Sequence, residues 1–398
     1  MLLSYIKAIK KRKGLKTFLF KEKGTQLVIG MHPKEDMKHK QGRKSYKVPV
    51  SMQRPIFVLL VLGIFYNLQA QPVRKPQFDK WVFPNFCQLD FTGGAPVFSK
   101  TGAAYVIESS GCYGDQSGNV LFYSDGVNMY DATHSIMPNG VLWSSAGGRM
   151  GPLIIPVIGS STKYYAFQVD GGSTTFTQPA CGPLARFDGL YYHIIDMTLN
   201  GGLGDIVAGR KNISLVDSTG ESVIGMMHEN GKDFWIIVRK AHSNNYYSFL
   251  VTQSGVCTTP VISSFTGGIP SNPRGLMTLA PSHDATQIAV SQGSTISGGL
   301  LQLFDFESCS GRLSNPTNIS NSLRGWYDVA FSPNDSLIYA TFTSGGFLNA
   351  SFFQYERFAG NIPASQNTIG GSIPWGYHPN VLGYLGMRVY GDTLYIAN

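Results

Sequence analysis

Short hydrophobic runs separated by polar turns recur from about residue 80 onward, and they predict β-strands throughout. The runs are rich in aromatic and β-branched residues and are bounded by Gly, Asn, Asp and Ser, which is typical of strands and their turns. No stretch over about 11 residues has the periodicity of an amphipathic helix. One packet, a polar turn followed by a tight hydrophobic run, occurs at residues 117–123, 161–167, 230–237, 283–290, 334–340 and 390–396.

The spacing of these packets predicts a β-propeller. Their alignment gives successive intervals of 43, 70, 54, 50 and 56 residues, and most packets are followed by a second strand run. Several strands repeated about every 50 residues is the pattern of propeller blades, in which each sheet covers the face of the next. An array of two-sheet sandwiches is the alternative, but it would not carry the same packet six times. We predict an all-β propeller of about six to seven WD40- or YVTN-like blades.

The sequence ends inside a strand packet at residues 394–398, so we predict that the last blade is incomplete. A propeller must close its ring to avoid exposed sheet edges. Either a strand near residues 78–107 completes the last blade, or the chain is part of a longer protein. We favour the second interpretation and expect further C-terminal domains.

The apolar run at residues 56–66 predicts a signal peptide. A basic Arg54 precedes it, and Ala70 supplies the small residue that a cleavage site requires, so we expect cleavage between Ala70 and Gln71. The run is too short to cross about 30 Å of hydrocarbon as a helix. We therefore predict a basic, disordered extension at residues 1–51, a signal peptide at 52–70, a propeller at 71–398 and no other membrane span.

The position of this signal peptide leaves two interpretations open. Met52 is the true start, or the preceding basic segment is a cytoplasmic tail that converts the apolar run into a signal anchor. N-terminal sequencing of the exported protein distinguishes them, and we favour Met52.

The positive net charge of the chain comes from its first 54 residues. The whole chain has 32 basic and 24 acidic residues, a formal charge of +8, but residues 1–54 contain 15 of the basic and 3 of the acidic residues. Residues 55–398 therefore carry 17 basic and 21 acidic residues, a net charge of −4. A mildly acidic body has no electrostatic basis for binding phosphate backbones, so we expect no nucleic-acid partner.

Five cysteines lie after the predicted signal peptide. Their odd number leaves at least one thiol without a disulfide partner, and no C-x-x-C spacing supports a zinc site. Cys257 and Cys309 are separated by almost one repeat. They are therefore candidates for a disulfide between neighbouring blades.

Several stretches between residues 79 and 398 together carry a resemblance to a known group of proteins. They are Trp81 with residues 89–91, and residues 117–126, 136–140, 195–205, 304–311 and 331–335. In these stretches the chain resembles the N-terminal propeller-like region of Bacteroidota surface proteins. Such proteins often continue into PKD or other Ig-like domains and a type IX secretion sorting domain. The resemblance implies a propeller at the cell surface, and it leaves the secretion route open.

Candidate chemistry in the sequence is sparse. Residues 115–119 have oxygen ligands at alternate positions but lack the later Glu of a calcium loop, so a hairpin turn is the better interpretation. The glycine-rich residues 200–205 have neither a following helix nor a Lys, which favours a loop over a phosphate site. Calcium in a central funnel has no supporting motif, and we expect no cofactor. Histidines occur singly, without the spacing of a metal or nucleophile motif.

The remaining candidates are aromatic residues beside glycines, which suit sugar or peptide ligands. Arg324, Trp326 and Trp375 are the candidate binding residues, although these rings can equally pack between blades. We predict an exported, non-catalytic propeller that binds or presents a surface protein or glycan at the outer cell surface. The alternatives are a propeller hydrolase, lactonase-like or glycan-active with a central-funnel site, and a structural spacer in an adhesin-like chain.

Overall fold

The structure is a computed structural model of the chain. It describes residues 5–12, 15–22, 25–30, 76–83, 86–104, 110–142, 151–169, 189–241, 243–266, 277–293, 299–320, 325–344, 349–374, 386–390 and 393–397. The chain forms two compact units, residues 1–74 and 75–398. The predicted signal peptide, Ala70 and Gln71 lie outside the described residues.

In the first unit, three strands form an antiparallel meander. They are β1 (Tyr5–Arg12), β2 (Leu15–Glu22) and β3 (Thr25–Gly30), joined in sequence order. This sheet lies within the segment for which the sequence analysis expects a disordered extension.

The second unit is built from successive antiparallel sheets, five of which have four or five strands. Blade 1 contains β7 (Gly111–Gly114), β8 (Val120–Ser124), β9 (Asn128–Asp131) and β10 (Ile136–Val141). Blade 2 contains β11 (Leu153–Pro156), β12 (Lys163–Val169), β13 (Gly189–Asp196), β14 (Asp205–Ile206) and β15 (Ile213–Asp217). Blade 3 contains β16 (Thr219–Met227), β17 (Phe234–Lys240), β18 (Asn245–Thr252), β19 (Gly255–Val256) and β20 (Val261–Ser264).

Blade 4 contains β21 (Met277–Pro281), β22 (Gln287–Gln292), β23 (Leu300–Glu307) and β24 (Arg312–Asn318). Blade 5 contains β25 (Gly325–Phe331), β26 (Leu337–Ser344), β27 (Asn349–Glu356) and β28 (Asn367–Pro374). Two smaller sheets occupy the place of the sixth blade, one beside β7 of blade 1 and the other beside β25 of blade 5. They are β4 (Lys80–Phe83), β5 (Cys87–Asp90) and β6 (Val97–Ser99), and β29 (Gly386–Tyr390) with β30 (Thr393–Ala397).

The chain is therefore an all-β, six-bladed β-propeller, as the repeat predicts. Helical structure in the described residues is limited to short 3-10 turns at Pro76–Phe78, Asn200–Gly202 and Pro363–Ser365. None of the described helices has the length and apolar character that a membrane span requires.

Each of the first five packets contains the turn before a blade's second strand and at least half of that strand. Both faces of these strands are apolar because each face packs on a neighbouring blade. Ile288 and Val290 of β22 belong to the core between blades 3 and 4, whereas the intervening Ala289 belongs to the core between blades 4 and 5. The strand reads as a continuous hydrophobic run in the sequence because alternate residues pack into two different cores, one on each face of the blade.

The propeller has two ends that differ in their connections. At one end, the turns between first and second strands are short, as at residues 282–286 and 332–336. We call this end the turn face. At the other end, which we call the loop face, second strands end and third strands begin, as at Val169 and Gly189.

A buried ion network joins blades 4 and 5 at the turn face. The Arg357 guanidinium, which is 2% exposed, donates from Nη1 to Asp284 Oδ2 at 2.9 Å and from Nη2 to Thr286 Oγ1 at 2.7 Å. Its Nε donates to Gln287 Oε1 at 2.6 Å, and Nη1 lies 3.8 Å from Asp335 Oδ2. Arg357 directly follows β27 of blade 5, whereas three of its partners belong to blade 4.

This network also sets the ionisation of Asp284. Burial alone would raise the pKa of the Asp284 carboxyl, but hydrogen bonds from Arg357, Ser282 and Thr286 outweigh burial and lower it well below its usual value. Asp335 extends the network because its carboxylate accepts hydrogen bonds from the His283 and Asp284 backbone N–H groups at 2.9 and 2.8 Å. The turns of blades 4 and 5 are therefore tied together at one end of their interface.

Candidate functional site

A set of buried polar side chains lies on the first and second strands of the blades, towards the loop face. We call this set the polar belt. Its members are Gln168, Glu221, Ser222, Thr278, Ser291, Gln292 and Asp328, and all are buried. Buried polar groups are costly unless they are hydrogen-bonded, so their concentration on the strands nearest the axis requires a reason.

Hydrogen bonds from the polar belt cross between neighbouring blades. The Gln168 Nε2 group of blade 2 donates to the Gly126 carbonyl of blade 1. Ser222 Oγ of blade 3 accepts the Leu279 N–H of blade 4 at 3.0 Å. Thr278 Oγ1 and Ser291 Oγ, both of blade 4, donate to the Tyr327 carbonyl of blade 5 at 3.1 Å. Because each bond joins a side chain to the backbone of a neighbouring blade, the belt fixes how adjacent blades meet near the axis.

Two carboxylates of the polar belt lie at irregularities in first strands. The register between β16 and β17 shifts between Thr219 and Val223, which brackets Glu221. The register between β25 and β26 shifts between Trp326 and Val329, which brackets Asp328. β-Bulges of this kind redirect side chains and are frequent beside functional sites.

The polar belt can supply both hydrogen-bond acceptors and donors to a ligand. Gln168 Oε1 has no hydrogen-bond partner among the described residues, whereas the buried Asp328 carboxylate of blade 5 already accepts the Val329 N–H at 2.8 Å. Glu221 places a second buried carboxylate on blade 3. Within the described part of the chain, no group of three His, Cys, Asp or Glu side chains is arranged to hold a metal ion. The chemistry that these groups best support is recognition of hydroxyl, amide or amine groups.

Trp326, a candidate binding residue, is in the core. It is 1% exposed and makes edge-on contacts with Phe342 and Phe353 at centroid distances of 6.0 and 5.6 Å. It therefore packs within the interface of blades 4 and 5. The other two candidates, Arg324 and Trp375, lie outside the described residues.

The two loop motifs have the local structure of turns. Asp115 Oδ1 accepts the N–H groups of Ser117 and Asn119 at 2.8 Å, which closes the hairpin between β7 and β8. Residues 200–205 connect β13 to β14, and Gly201 there adopts φ +65°. Both motifs follow the turn interpretations of the sequence.

The candidate disulfide is not formed in the structure, where Cys257 and Cys309 are free, exposed thiols. They lie on neighbouring blades, 3 and 4, as their spacing suggests.

Sequence reasoning did not identify the polar belt. Glu221 and Asp328 are distant in the sequence and look like ordinary polar residues beside strand runs. A usable signal is an acidic residue immediately before a first-strand run, as in Glu221-Ser-Val-Ile and Asp328-Val-Ala-Phe. This signal can be used only when the first strand of each blade has already been identified.

Buried His193 is a further feature of blade 2. Its Nδ1 accepts the Asn212 N–H at 3.1 Å, which places the ring proton on Nε2. Burial, with a smaller contribution from nearby Lys211, lowers the pKa of His193 to about 3. The side chain is therefore neutral in the folded protein over the physiological range.

His193 should make folding stability fall as the pH decreases from 7 to 5. The unfolded chain takes up a proton near its ordinary pKa of about 6.5, whereas folded His193 does not, so the free energy of unfolding should fall by roughly 2 kcal/mol. His193→Asn keeps an acceptor for the Asn212 backbone N–H. It should remove the part of the pH dependence of the unfolding free energy that is due to His193. Urea unfolding of both proteins at the two pH values tests this. Equal slopes would show that His193 is not the titrating group.

No protein-family model and no curated protein sequence matches this chain. Solved structures that are similar include a putative 6-phosphogluconolactonase from Bacteroides uniformis, at 13% identity and a TM-score of 0.42, covering 77% of this chain and 83% of that one. TolB from Acinetobacter baumannii has 11% identity and a TM-score of 0.35, covering 93% and 79%. Kluyveromyces lactis Hsv2 has 8% identity and a TM-score of 0.41, covering 81% and 87%. Likenesses at this level carry no information about function.

Proposed function

We propose that this chain is an exported, non-catalytic β-propeller module that binds or presents a surface glycan or protein at the bacterial cell surface. The polar belt is the observation that carries the proposal. It gathers buried donors and acceptors from four blades towards the loop face.

The polar belt supports a ligand at the loop face for a physical reason. Glu221 and Asp328 are 4% and 5% exposed, and burying carboxylates costs free energy that an apolar pair would not. Natural proteins accept such local costs mainly where specificity or function requires them. Gln168 Oε1, which has no hydrogen-bond partner among the described residues, would accept a hydrogen bond from a ligand hydroxyl or amide group.

Export is the second part of the proposal. It is supported by the apolar run at residues 56–66, by Ala70 at the expected cleavage position and by the resemblance to Bacteroidota surface proteins. The net charge of −4 over residues 55–398 also favours a neutral or cationic ligand over a phosphate-rich one.

A hydrolase acting through a central-funnel site is the second candidate. The observation in its favour is the pair of buried carboxylates, Glu221 and Asp328, because acid–base hydrolysis of glycosides requires two such groups. The two proposals differ in one measurable property. A hydrolase consumes its ligand, whereas a binding module releases it unchanged.

Binding is tested by applying the purified chain to an immobilised panel of bacterial surface polysaccharides and outer-membrane proteins. We expect saturable binding to at least one member. Glu221→Gln combined with Asp328→Asn should weaken it by about tenfold or more, because one lost charged hydrogen bond has that magnitude. Melting temperatures of the variant and the original chain establish that folding is intact.

Asp115→Asn, at a hairpin of the turn face, is the matched control and should leave binding unchanged. Two results would contradict the binding proposal. One is equal weakening by the control, and the other is turnover of a lactone or glycoside substrate that the double variant abolishes. The second result would establish the hydrolase instead.

A further inference from the structure

The interface of blades 3 and 4 has a turn of one blade seated on a tryptophan of the other. Trp235 of β17 donates from its indole Nε1 to the Ser308 carbonyl in the turn between β23 and β24 at 2.8 Å. Gly311, which ends that turn, has φ +73°, and a Cβ there would lie 2.7 Å from the indole ring. The turn is therefore held against blade 3, and it carries the exposed Cys309 between Ser308 and Gly311.

Cys257 faces the same interface from blade 3. Its backbone N–H donates to the Leu250 carbonyl at 2.8 Å and continues the register in which Val256 lies opposite Val251. Leu250 in turn lies opposite Trp235, and both pack in the core between blades 3 and 4. Side chains opposite one another in an antiparallel sheet point to the same face, so the Cys257 side chain points towards blade 4.

The Cys309 thiol lies close enough to blade 3 for the Glu229 carboxylate to raise its pKa, so the two thiols face one interface from opposite sides. Both are exposed and free, and the Cys257 thiol donates only a long hydrogen bond of 3.5 Å to the Thr259 carbonyl. A disulfide requires Cα atoms within about 7 Å. The Cys309 thiol is hydrogen-bonded to the exposed Glu307 carboxylate of its own turn, a contact that can be exchanged with solvent as the thiols approach. We propose that Cys257 and Cys309 are an oxidation site that forms an inter-blade disulfide and locks blades 3 and 4 together.

The reaction is thiol–disulfide exchange with a small-molecule disulfide such as glutathione disulfide. The Cys257 thiolate attacks one sulfur of the oxidant, which forms a mixed disulfide and releases one glutathione thiolate. The Cys309 thiolate then attacks the Cys257 sulfur and releases the second glutathione thiolate. Two protein thiols are oxidised, one disulfide is reduced, and the two protons pass to the released thiolates.

The surroundings of Cys309 predict how this reaction depends on pH. A small loss of hydration and the carboxylates of Glu307 and Glu229 raise the pKa of the Cys309 thiol. Because the thiolate is the reactive form, exchange at Cys309 should accelerate as the pH rises from 7 to 9.

The test uses the full chain, equilibrated in buffers with increasing ratios of glutathione disulfide to glutathione. Under oxidising ratios we expect non-reducing peptide mapping to find one cross-linked peptide containing Cys257 and Cys309. The intact mass should fall by two hydrogen atoms, and the melting temperature should rise by about 5 °C over the reduced chain. Cys309→Ser and Cys257→Ser should each abolish the cross-linked peptide and the melting shift.

Cys112→Ser is the matched control, because the Cys112 thiol donates to the Lys80 carbonyl far along the chain, in the sheet beside blade 1. It should leave the cross-link between Cys257 and Cys309 intact. The proposal is overturned if both thiols remain free under excess oxidant, if each carries glutathione without linking, or if the disulfide joins two chains.

Discussion

Replacing Trp326 by alanine should lower the free energy of unfolding by about 4 kcal/mol, because the substitution leaves a cavity the size of an indole in a closely packed core. The ring is 1% exposed and touches Phe342, Phe353 and Tyr355. Denaturant unfolding followed by fluorescence measures the change, and the midpoint should fall without a large change in slope.

Trp326→Phe separates packing from a polar role for the indole. The indole N–H has no hydrogen-bond partner among the described residues, so phenylalanine should keep most of the stability, with a loss of about 1 kcal/mol. Val97→Ala, at a 61% exposed position, is the surface control and should cost less than about 1 kcal/mol. A large loss of ligand binding in Trp326→Phe with normal stability would instead indicate a binding role.

Replacing Arg357 by methionine should cost about 3 kcal/mol, because it leaves the buried Asp335 carboxylate and the partly exposed Asp284 carboxylate without their cation. Methionine fills similar space beside Phe331, so the loss reports charge and hydrogen bonding more than volume. Chemical denaturation at pH 7 measures it. Lys240→Met is the matched control, since its partner Asp217 is exposed, and it should cost less than about 1 kcal/mol.

The effect of Arg357→Met should also depend on pH in a defined direction. Arg357 lowers the pKa of Asp284, so its stabilisation is fully present above the ordinary aspartate pKa of about 3.9 and is lost as the pH falls below that value. The difference in stability between the two proteins should therefore be constant from pH 7 to 5 and shrink below about pH 4. A difference that shrinks between pH 7 and 5 would contradict this origin.

Much of the fold could be predicted because a propeller repeats one local pattern. The packet around Ile288 and the packet around Ile338 each contain a polar turn followed by a strand that is apolar on both faces, and the structure makes each a second strand. The long interval of 70 residues after Tyr164 has a simple origin. Blade 2 contains the connection of residues 170–188 and an additional short strand, β14.

The ion network and the polar belt were less predictable because they depend on contacts between blades. Arg357 meets Asp284 only when blade 5 closes on blade 4, and both residues look like ordinary turn residues in the sequence. Glu221 and Asp328 likewise acquire meaning through strand position and register shifts, which no local pattern reports. Trp326 lies beside a glycine, which suits a loop platform as well as a strand start, and its burial follows from blade packing.

Amide hydrogen exchange of the purified chain, with and without the polysaccharide or protein that it retains from the panel, tests the central claim most directly. Exchange reports local protection at each strand end, so it distinguishes the two ends of the propeller. We predict slower exchange where β16 and β25 begin, beside Glu221 and Asp328, and unchanged exchange at residues 282–286 and 332–336. Protection confined to those turn-face residues would contradict a binding site at the polar belt.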